Sequence, residues 1–173
     1  SRLHVIDIAT GKESGSLDLG SQTGATVAVS GDNLYLGTMG SEFHAIAWKE
    51  PKIVWTYRSP NRPKEFFSSA ALGADLAVVG SRDNRVHAID RKTGSARWTY
   101  LTDGRVDASP VIAGDKVYAP SLDGKLHVLD LATGKKLEVH DLGGPASASP
   151  AISGGYLVVG STEGVLSAFK TGN

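Results

Sequence analysis

The strongest constraint on the fold is an internal repeat of about 40 residues. Five copies of one short apolar pattern follow each other along the chain, and the second residue of each copy lies at position 4, 44, 87, 127 and 167. The steps between copies are therefore 40, 43, 40 and 40 residues. A chain organised in this way folds as a series of similar units, each of which packs against its neighbours.

Each period contains four short segments that alternate apolar and polar residues or run apolar for a few positions. Gly, Asp, Asn and Ser separate them, which is typical of β-strands joined by tight turns. We name the strands A to D; in the fourth period they cover residues 109–112, 116–119, 125–131 and 136–140. The 21 glycines recur too often to leave a helix of ordinary length. Four antiparallel strands per period predict an all-β fold of β-propeller blades.

The whole chain, residues 1–173, is predicted to be a single propeller segment. It opens and closes in a strand C, which predicts two strands, three sets of four, and a last set of three. The repeat units are approximately 3–24, 25–65, 66–106, 107–146 and 147–173.

The second period is three residues longer than the others. Hydroxyl residues that precede a glycine by five positions set the alignment, and they are Thr26, Ser68, Ser109 and Ser149. With this alignment, two extra residues fall in the loop from strand D to the next strand A, and the third falls in the A-to-B turn. The D-to-A loop at 58–65 is the segment least similar to the other repeats.

Composition excludes several classes of function. Eighteen basic and eighteen acidic residues give a formal charge of zero, so no overall field attracts nucleic acid or an anionic membrane. The chain has no cysteine, which excludes disulfides, thiolate metal ligands and a cysteine nucleophile. No stretch of about 20 apolar residues is present for insertion into a membrane. Residues 1–11 also lack the basic and apolar pattern of a signal peptide.

The segment at 88–98 resembles the repeat of the pyrroloquinoline-quinone-type propellers, Ala-x-Asp-x-x-Thr-Gly-x-x-x-Trp. This family includes quinoprotein dehydrogenases and BamB-like outer-membrane assembly proteins. The resemblance implies a propeller that usually has eight blades, in which each Trp docks on a neighbouring blade near the Ala and Gly. The residues expected in this structural docking role are Ala88, Asp90, Thr93, Gly94, Trp98, Ala45 and Trp55.

Only one copy of the motif is complete. In the second copy Ala47 replaces the Asp, and Glu50-Pro51 replaces Thr-Gly, whereas Gly15 and Glu138 occupy the Trp position elsewhere. Uniform Trp docking is therefore not expected. About four blades make half of an eight-bladed ring, or a partial propeller that associates; the alternative is a closed four-bladed ring made by exchange of terminal strands.

No quinone cofactor is expected on this chain. The resemblance implies a quinone held by an adjacent cysteine pair, a stacking Trp and a calcium site, but the chain has no cysteine. Its tryptophans, Trp48, Trp55 and Trp98, fall in strands C and D, away from the propeller axis. We predict no cofactor, no metal and no catalytic residue.

The recurring polar residues are best interpreted as structural. The histidines at 4, 44, 87 and 127 lie on successive blades and diverge, whereas the ligands of one metal ion must converge. The hydroxyl residues that begin each strand A have no repeated base nearby, as a nucleophile would require. Asp7, Asp90 and Asp130 precede Thr-Gly by three residues, as expected for side chains that organise the C-to-D turn.

One rim of the propeller carries a candidate interaction surface. The D-to-A and B-to-C loops share a rim, and in the second and third repeats they collect basic residues among scattered acidic ones. This pattern indicates a surface for an anionic or acidic partner, or else an ordinary solvated rim of mixed charge. The candidate residues are Arg58, Arg62, Lys64, Arg82, Arg85 and Arg105.

The functional prediction is a non-catalytic scaffold or protein-interaction module, not an enzyme. Its partner is expected to be protein: the remaining blades, a second copy, or another subunit, with no nucleic acid and no membrane insertion. The alternative is a fragment of a quinoprotein dehydrogenase whose cofactor-binding blades lie elsewhere. The family resemblance implies a periplasmic or extracellular location.

Overall fold

The computed structural model describes residues 1–60 and 62–171 and contains seventeen strands in five antiparallel sheets. The described residues contain no helix. Strands of each sheet pair in sequence order, so every sheet is a simple meander. This confirms the predicted all-β propeller fold and its strand count.

The five sheets are the blades, numbered in chain order. Blade 1 contains β1 (Arg2–Ile6) and β2 (Glu13–Asp18). Blade 2 contains β3 (Ala28–Ser30), β4 (Asn33–Gly37), β5 (Phe43–Ala47) and β6 (Lys52–Tyr57). Blade 3 contains β7 (Ala71–Leu72), β8 (Leu76–Ser81), β9 (Arg85–Asp90) and β10 (Ala96–Leu101). Blade 4 contains β11 (Val111–Ala113), β12 (Lys116–Pro120), β13 (Lys125–Asp130) and β14 (Lys136–Asp141). Blade 5 contains β15 (Ala151–Ser153), β16 (Tyr156–Gly160) and β17 (Leu166–Lys170).

Turn chemistry explains why strand C reverses into strand D at the same place in blades 3 and 4. Asp90 accepts a hydrogen bond from the backbone N–H of Thr93 at 2.9 Å, and Asp130 accepts the equivalent bond from Thr133 at 2.8 Å. The following glycines, Gly94 and Gly134, have φ of 73° and 70°, a conformation that other residues adopt only with strain. The aspartates therefore organise this turn, as the sequence predicted.

The hydrophobic core lies between the blades. Alternate residues of a strand point to opposite faces of its sheet, so each inner blade contributes one set of side chains to each neighbour. Val78 and Val86 of blade 3 pack with Val117 and Leu129 of blade 4, for example. Three similar clusters join the other pairs of adjacent blades. Each blade is thus stabilised mainly by its contacts with the next one.

The outer faces of blades 1 and 5 have no such cover. Leu126 of blade 4 is fully buried, whereas Leu166, its equivalent in blade 5, is 75% exposed. Ile46 and Ile89 are fully buried in blades 2 and 3, whereas the equivalent Ile6 of blade 1 is 49% exposed. Within residues 1–60 and 62–171, no hydrogen bond joins blade 1 to blade 5. The blades therefore form an open arc and not a closed four-bladed ring.

Strand pairing corrects the predicted alignment of the second period. Ala71 pairs with Val78 as Val111 pairs with Tyr118, which makes Ser69, not Ser68, equivalent to Ser109. All three additional residues consequently lie in the D-to-A loop, and the prediction of one in the A-to-B turn was wrong. The two adjacent serines made both alignments possible from sequence.

Candidate interaction surface

Two tryptophans fasten adjacent blades through the C-to-D turn. The indole N–H of Trp55 in blade 2 donates to the carbonyl oxygen of Arg91 in blade 3 at 3.0 Å, and its ring covers Gly94. Trp98 in blade 3 donates to the carbonyl oxygen of Leu131 in blade 4 at 2.9 Å. A Cβ atom at Gly94 would lie only 2.8 Å from Trp55 Cδ2, so the ring requires glycine there.

The small residues named by the repeat support this contact from within the blade. Ala45 lies opposite Trp55 across the pair β5–β6, and Ala88 lies opposite Trp98 across β9–β10. Both alanines are fully buried. A larger side chain at either position would have to displace the packed core around the indole.

The docking is not uniform, and blade 1 uses a different pair of residues. Gly15 occupies the Trp position and lies against Pro51, which occupies the Gly position of blade 2. A Cβ at Gly15 would be 2.9 Å from Pro51 Cδ and Cγ. At this interface the large residue therefore lies in the C-to-D turn and the small residue in strand D, which is the reverse of the Trp–Gly interfaces. Glu138 replaces the Trp in blade 4.

Histidines of strand C form buried hydrogen-bond networks across the blade interfaces. His87 Nδ1 lies 3.1 Å from the hydroxyl of Tyr57 in the preceding blade, and His87 Nε2 lies 3.1 Å from Asp83 Oδ1. His127 repeats this arrangement, with Tyr100 at 3.2 Å and Asp123 at 2.9 Å. An ionised carboxylate only accepts hydrogen bonds, so each Nε2–H donates to its aspartate and each Nδ1 accepts from the tyrosine.

Burial and pairing shift the pKa values in these networks. Burial raises the pKa of Tyr57 to about 12, and the nearby charge of Asp83 contributes in the same direction. Burial on its own would raise the pKa of Asp83 as well, but its hydrogen bond with His87 and further polar contacts hold the pKa below 3.8. Tyr57 is therefore a protonated donor and Asp83 an ionised acceptor at neutral pH.

The first histidines of the series differ. His44 Nδ1 bonds to Thr56 Oγ1 at 2.9 Å, and Glu42 lies 3.5 Å from its Nε2. Burial lowers the pKa of His44. His4 pairs with the exposed Glu13 at 2.7 Å on blade 1. In the described part of the chain, no three acidic or histidine side chains are placed to share a metal ion.

The hydroxyl residues at the start of the strands A link successive blades. The backbone N–H of Thr26 donates to Ser69 Oγ at 2.8 Å, that of Ser69 to Ser109 Oγ at 3.0 Å, and that of Ser109 to Ser149 Oγ at 3.0 Å. Each hydroxyl is thus an acceptor for the preceding blade. This is a role in blade packing that sequence spacing alone did not identify.

The D-to-A and B-to-C loops lie on the same rim, because backbone hydrogen bonds join them. Phe66 N–H donates to the Thr38 carbonyl at 3.2 Å, and Arg82 N–H donates to the Glu65 carbonyl at 3.0 Å. Val106 N–H donates to the Ser81 carbonyl at 3.2 Å, while Ser81 Oγ lies 3.4 Å from the Lys64 carbonyl. The loops that carry Lys64 and Arg105 therefore meet at Ser81.

Two of the six candidate rim cations are engaged within the protein. Arg82 makes a bidentate pair with Asp107 of the next D-to-A loop, with both N–O distances at 3.0 Å, and its guanidinium lies over the ring of Phe67. Arg58 binds Glu42 through its Nε at 3.1 Å. Neither acidic partner was identified from sequence, because both pairs join residues far apart along the chain.

The other four cations differ in exposure. Arg62, Lys64 and Arg105 are exposed, and Arg85 is half-buried at the start of β9. Among residues 1–60 and 62–171, none of the four makes an ion pair. The rim therefore retains three exposed cations after its internal pairs have formed.

Comparison with known families agrees with this architecture. The family model described as outer membrane protein assembly factor BamB matches residues 1–173. The chain belongs to this BamB family. A comparison with curated proteins found no significant match.

Several solved structures resemble the chain. BamB from Moraxella catarrhalis aligns with a TM-score of 0.78 at 20% identity, over 93% of this chain and 50% of that one. Sqt1 from Saccharomyces cerevisiae aligns with a TM-score of 0.85 at 13% identity, over 100% and 53%. The computationally designed Ika4 protein aligns with a TM-score of 0.77 at 17% identity, over 88% and 92%. The chain thus spans about half the length of BamB and Sqt1, and these similarities establish the propeller fold.

The residues of this BamB family member do not fit a quinone cofactor. The sequence contains no cysteine pair. Trp55 and Trp98 are committed to the blade interfaces, and Trp48 donates its indole N–H to the Gly31 carbonyl at 3.1 Å. All three indole N–H groups therefore bond to backbone carbonyls of the blades. In the described residues, no helix is long and apolar enough to cross a membrane.

Proposed function

We propose that the chain is a non-catalytic propeller module that acts as a scaffold and protein-interaction surface, in the periplasm or outside the cell. The observation that carries this proposal is the pair of uncovered blade faces at the two ends of the arc. The recurring polar side chains support it, since they are used in blade packing and not gathered around a substrate.

The two uncovered faces are of the two kinds that pack against each other inside the arc. The face of blade 5 presents the apolar Leu166, as blade 4 presents Leu126 to its successor. The face of blade 1 presents Ile6 where blades 2 and 3 present Ile46 and Ile89 to their predecessors. A further blade of the same type would bury both faces by the contacts already seen inside the arc. The partner on these faces is therefore a set of similar blades, supplied by a second copy or by the rest of a longer protein.

Membership of the BamB family supports the proposed location. A family described as outer membrane protein assembly factor supports a periplasmic protein at the outer membrane. Detection of the protein in a periplasmic extract, alongside a cytoplasmic marker protein as control, tests this location.

The experiment that tests the proposal is the mass of the 173-residue chain in solution, measured by light scattering over a range of concentrations. A mass of two chains is expected at high concentration, because each copy can cover the end faces of the other. Leu166→Glu and Ile6→Glu should each reduce the mass to one chain. The control is Leu137→Glu, a similarly exposed apolar residue on the outer strand of blade 4.

A mixture of the two variants provides a stricter test. Each variant retains one intact face, so Leu166→Glu and Ile6→Glu together should form a two-chain species that neither forms alone. A single-chain mass for the unmodified protein at every concentration would contradict self-association. Equal effects of Leu137→Glu and Leu166→Glu would show that the blade faces are not the interface.

A further inference from the structure

We infer that the exposed cations of the loop rim, Arg62, Lys64 and Arg105, form a binding site for a short acidic polypeptide segment. The inference rests on the proposed protein-binding role but concerns a different surface from the blade faces. The inference depends on which charged side chains of the rim already form ion pairs within the protein and which do not.

The acidic residues of this rim sector are mostly paired within the protein. Asp83 and Asp123 are buried against histidines, and Asp107 is held by both guanidinium nitrogens of Arg82. Glu42 is paired with Arg58. Scattered acidic residues therefore do not cancel the remaining cations, although the sequence alone made the rim look mixed in charge.

The cations are also brought together by the fold. The backbone carbonyl of Lys64 accepts a hydrogen bond from Ser81 Oγ. Arg105 precedes Val106, whose N–H donates to the Ser81 carbonyl at 3.2 Å. Arg62 lies two residues before Lys64 in the lengthened D-to-A loop. The site thus lies across the rim of blade 3, between the D-to-A loop that enters this blade and the one that leaves it. The three additional residues of the second period lengthen the first of these loops.

The surroundings of the cations favour a short peptide over a continuous polyanion. Asp103, two residues before Arg105, has a side chain that is 82% exposed even though it pairs with Lys125 at 3.2 Å, and Glu65 follows Lys64 directly. These carboxylates would repel a membrane surface or a nucleic acid backbone, in which negative charges are closely and evenly spaced. A polypeptide with two or three spaced carboxylates can pair with the cations and keep its own carboxylates away from Asp103 and Glu65.

The probe for this site is a fluorescein-labelled synthetic peptide in which glutamates alternate with serines, and its binding is measured by fluorescence anisotropy. A matching peptide with glutamine in place of glutamate controls for the charge. We expect binding of the acidic peptide at low salt, and weakening as the salt approaches about 0.15 M, because exposed charges are screened over a Debye length of about 8 Å.

The decisive variant is Arg62→Glu/Lys64→Glu/Arg105→Glu, which should weaken binding about tenfold or more, since each exposed pair contributes modestly and three are reversed. The matched control is Lys12→Glu/Lys92→Glu/Lys135→Glu, which makes the same change of net charge on exposed residues of the C-to-D turns at the opposite rim. This control should retain binding to within about twofold.

Other outcomes would overturn the inference. The inference would be wrong if the acidic peptide did not bind, or if both triple variants lost peptide binding equally. Binding to phosphatidylglycerol vesicles or to polyuridylate, without binding of the peptide, would show that the partner is not a polypeptide. The rim variant should keep the solution mass of the unmodified chain, so failure of this site and failure of blade-face association can be told apart.

Discussion

The indole ring of Trp98 lies directly on Gly134, and its N–H donates to the carbonyl of Leu131 in the same turn. Gly134 is required twice over, because its φ is 70° and because no space remains for a Cβ beneath the ring. The contact joins blade 3 to blade 4 and leaves space for only a hydrogen atom on the α-carbon of residue 134.

Substitution Gly134→Ala should lower the free energy of unfolding by about 2–4 kcal/mol, the sum of left-handed backbone strain and overpacking. Urea unfolding followed by tryptophan fluorescence measures this loss. Gly114→Ala is the matched control, because Gly114 has φ of 60° but open space around its would-be Cβ. Its cost should be only the backbone strain, about 1–2 kcal/mol. Equal costs for the two variants would show that the ring does not press on the turn.

The exchanged pair Gly15 and Pro51 predicts a coupling between two substitutions. Gly15→Ala alone should destabilise the protein, because the new methyl group would meet the proline ring. In the background of Pro51→Gly the same change should cost less, which gives a coupling free energy of about 1 kcal/mol in a double-mutant cycle. Additive effects would mean that the side chains at positions 15 and 51 do not contact each other.

The buried pair of Asp83 and His87 predicts a pH dependence of stability. The pKa of Asp83 is held below its usual 3.8 in the folded protein. The pair therefore contributes stability that is present above the pKa of the unfolded state and is lost as the pH falls through the lower, folded value.

Asp83→Asn should consequently reduce the free energy of unfolding by about 1–2 kcal/mol near pH 7, because a charged hydrogen-bond acceptor becomes neutral. The difference from the unmodified protein should shrink as the pH falls below about 4, where Asp83 of the unfolded chain becomes protonated, and it should be lost as the pH falls through the lower pKa of the folded protein. Urea unfolding across this pH range measures both effects. Asp115→Asn, at an exposed turn position, should change stability by less than about 0.5 kcal/mol. A constant difference for Asp83→Asn at all pH values would contradict this account.

The chain of hydroxyls predicts a modest effect of Ser109→Ala. This change leaves the backbone N–H of Ser69 without its acceptor and should cost about 1 kcal/mol in unfolding free energy. The exposed Ser95 is a suitable control, since its hydroxyl bonds to no residue in the described part of the chain, and Ser95→Ala should be nearly neutral. Hydrogen exchange of the Ser69 amide offers a local readout, and unchanged protection in Ser109→Ala would argue against the bond.

Much of the fold could be predicted from sequence because its signals are local. The Asp-x-x-Thr-Gly turns and the alternation of apolar residues indicated all seventeen strands and their order. The position of the inserted residues could not be settled, since Ser68 and Ser69 are adjacent and only strand pairing distinguishes them.

Less of the candidate site than of the fold could be predicted from the sequence. The partners of Arg82 and Arg58 lie 25 and 16 residues away, on different loops, and no short pattern links them. The six basic residues could therefore not be divided into paired and unpaired members from the sequence. The tyrosines that bond to His87 and His127 were missed for the same reason, although Trp55 and Trp98 are each followed by a Tyr at two residues, which is a repeated signal.

The Trp contacts and the hydroxyl contacts between adjacent blades run in one direction. The indole of one blade reaches the turn of the next, and the N–H at Thr26, Ser69 and Ser109 always points to the hydroxyl that follows. Blades joined in this way form a polar polymer whose growth stops only when its curvature closes a ring, and otherwise continues as a filament. If copies close into a ring as proposed, a substitution that altered the angle at one interface, without weakening it, should convert that ring into fibres.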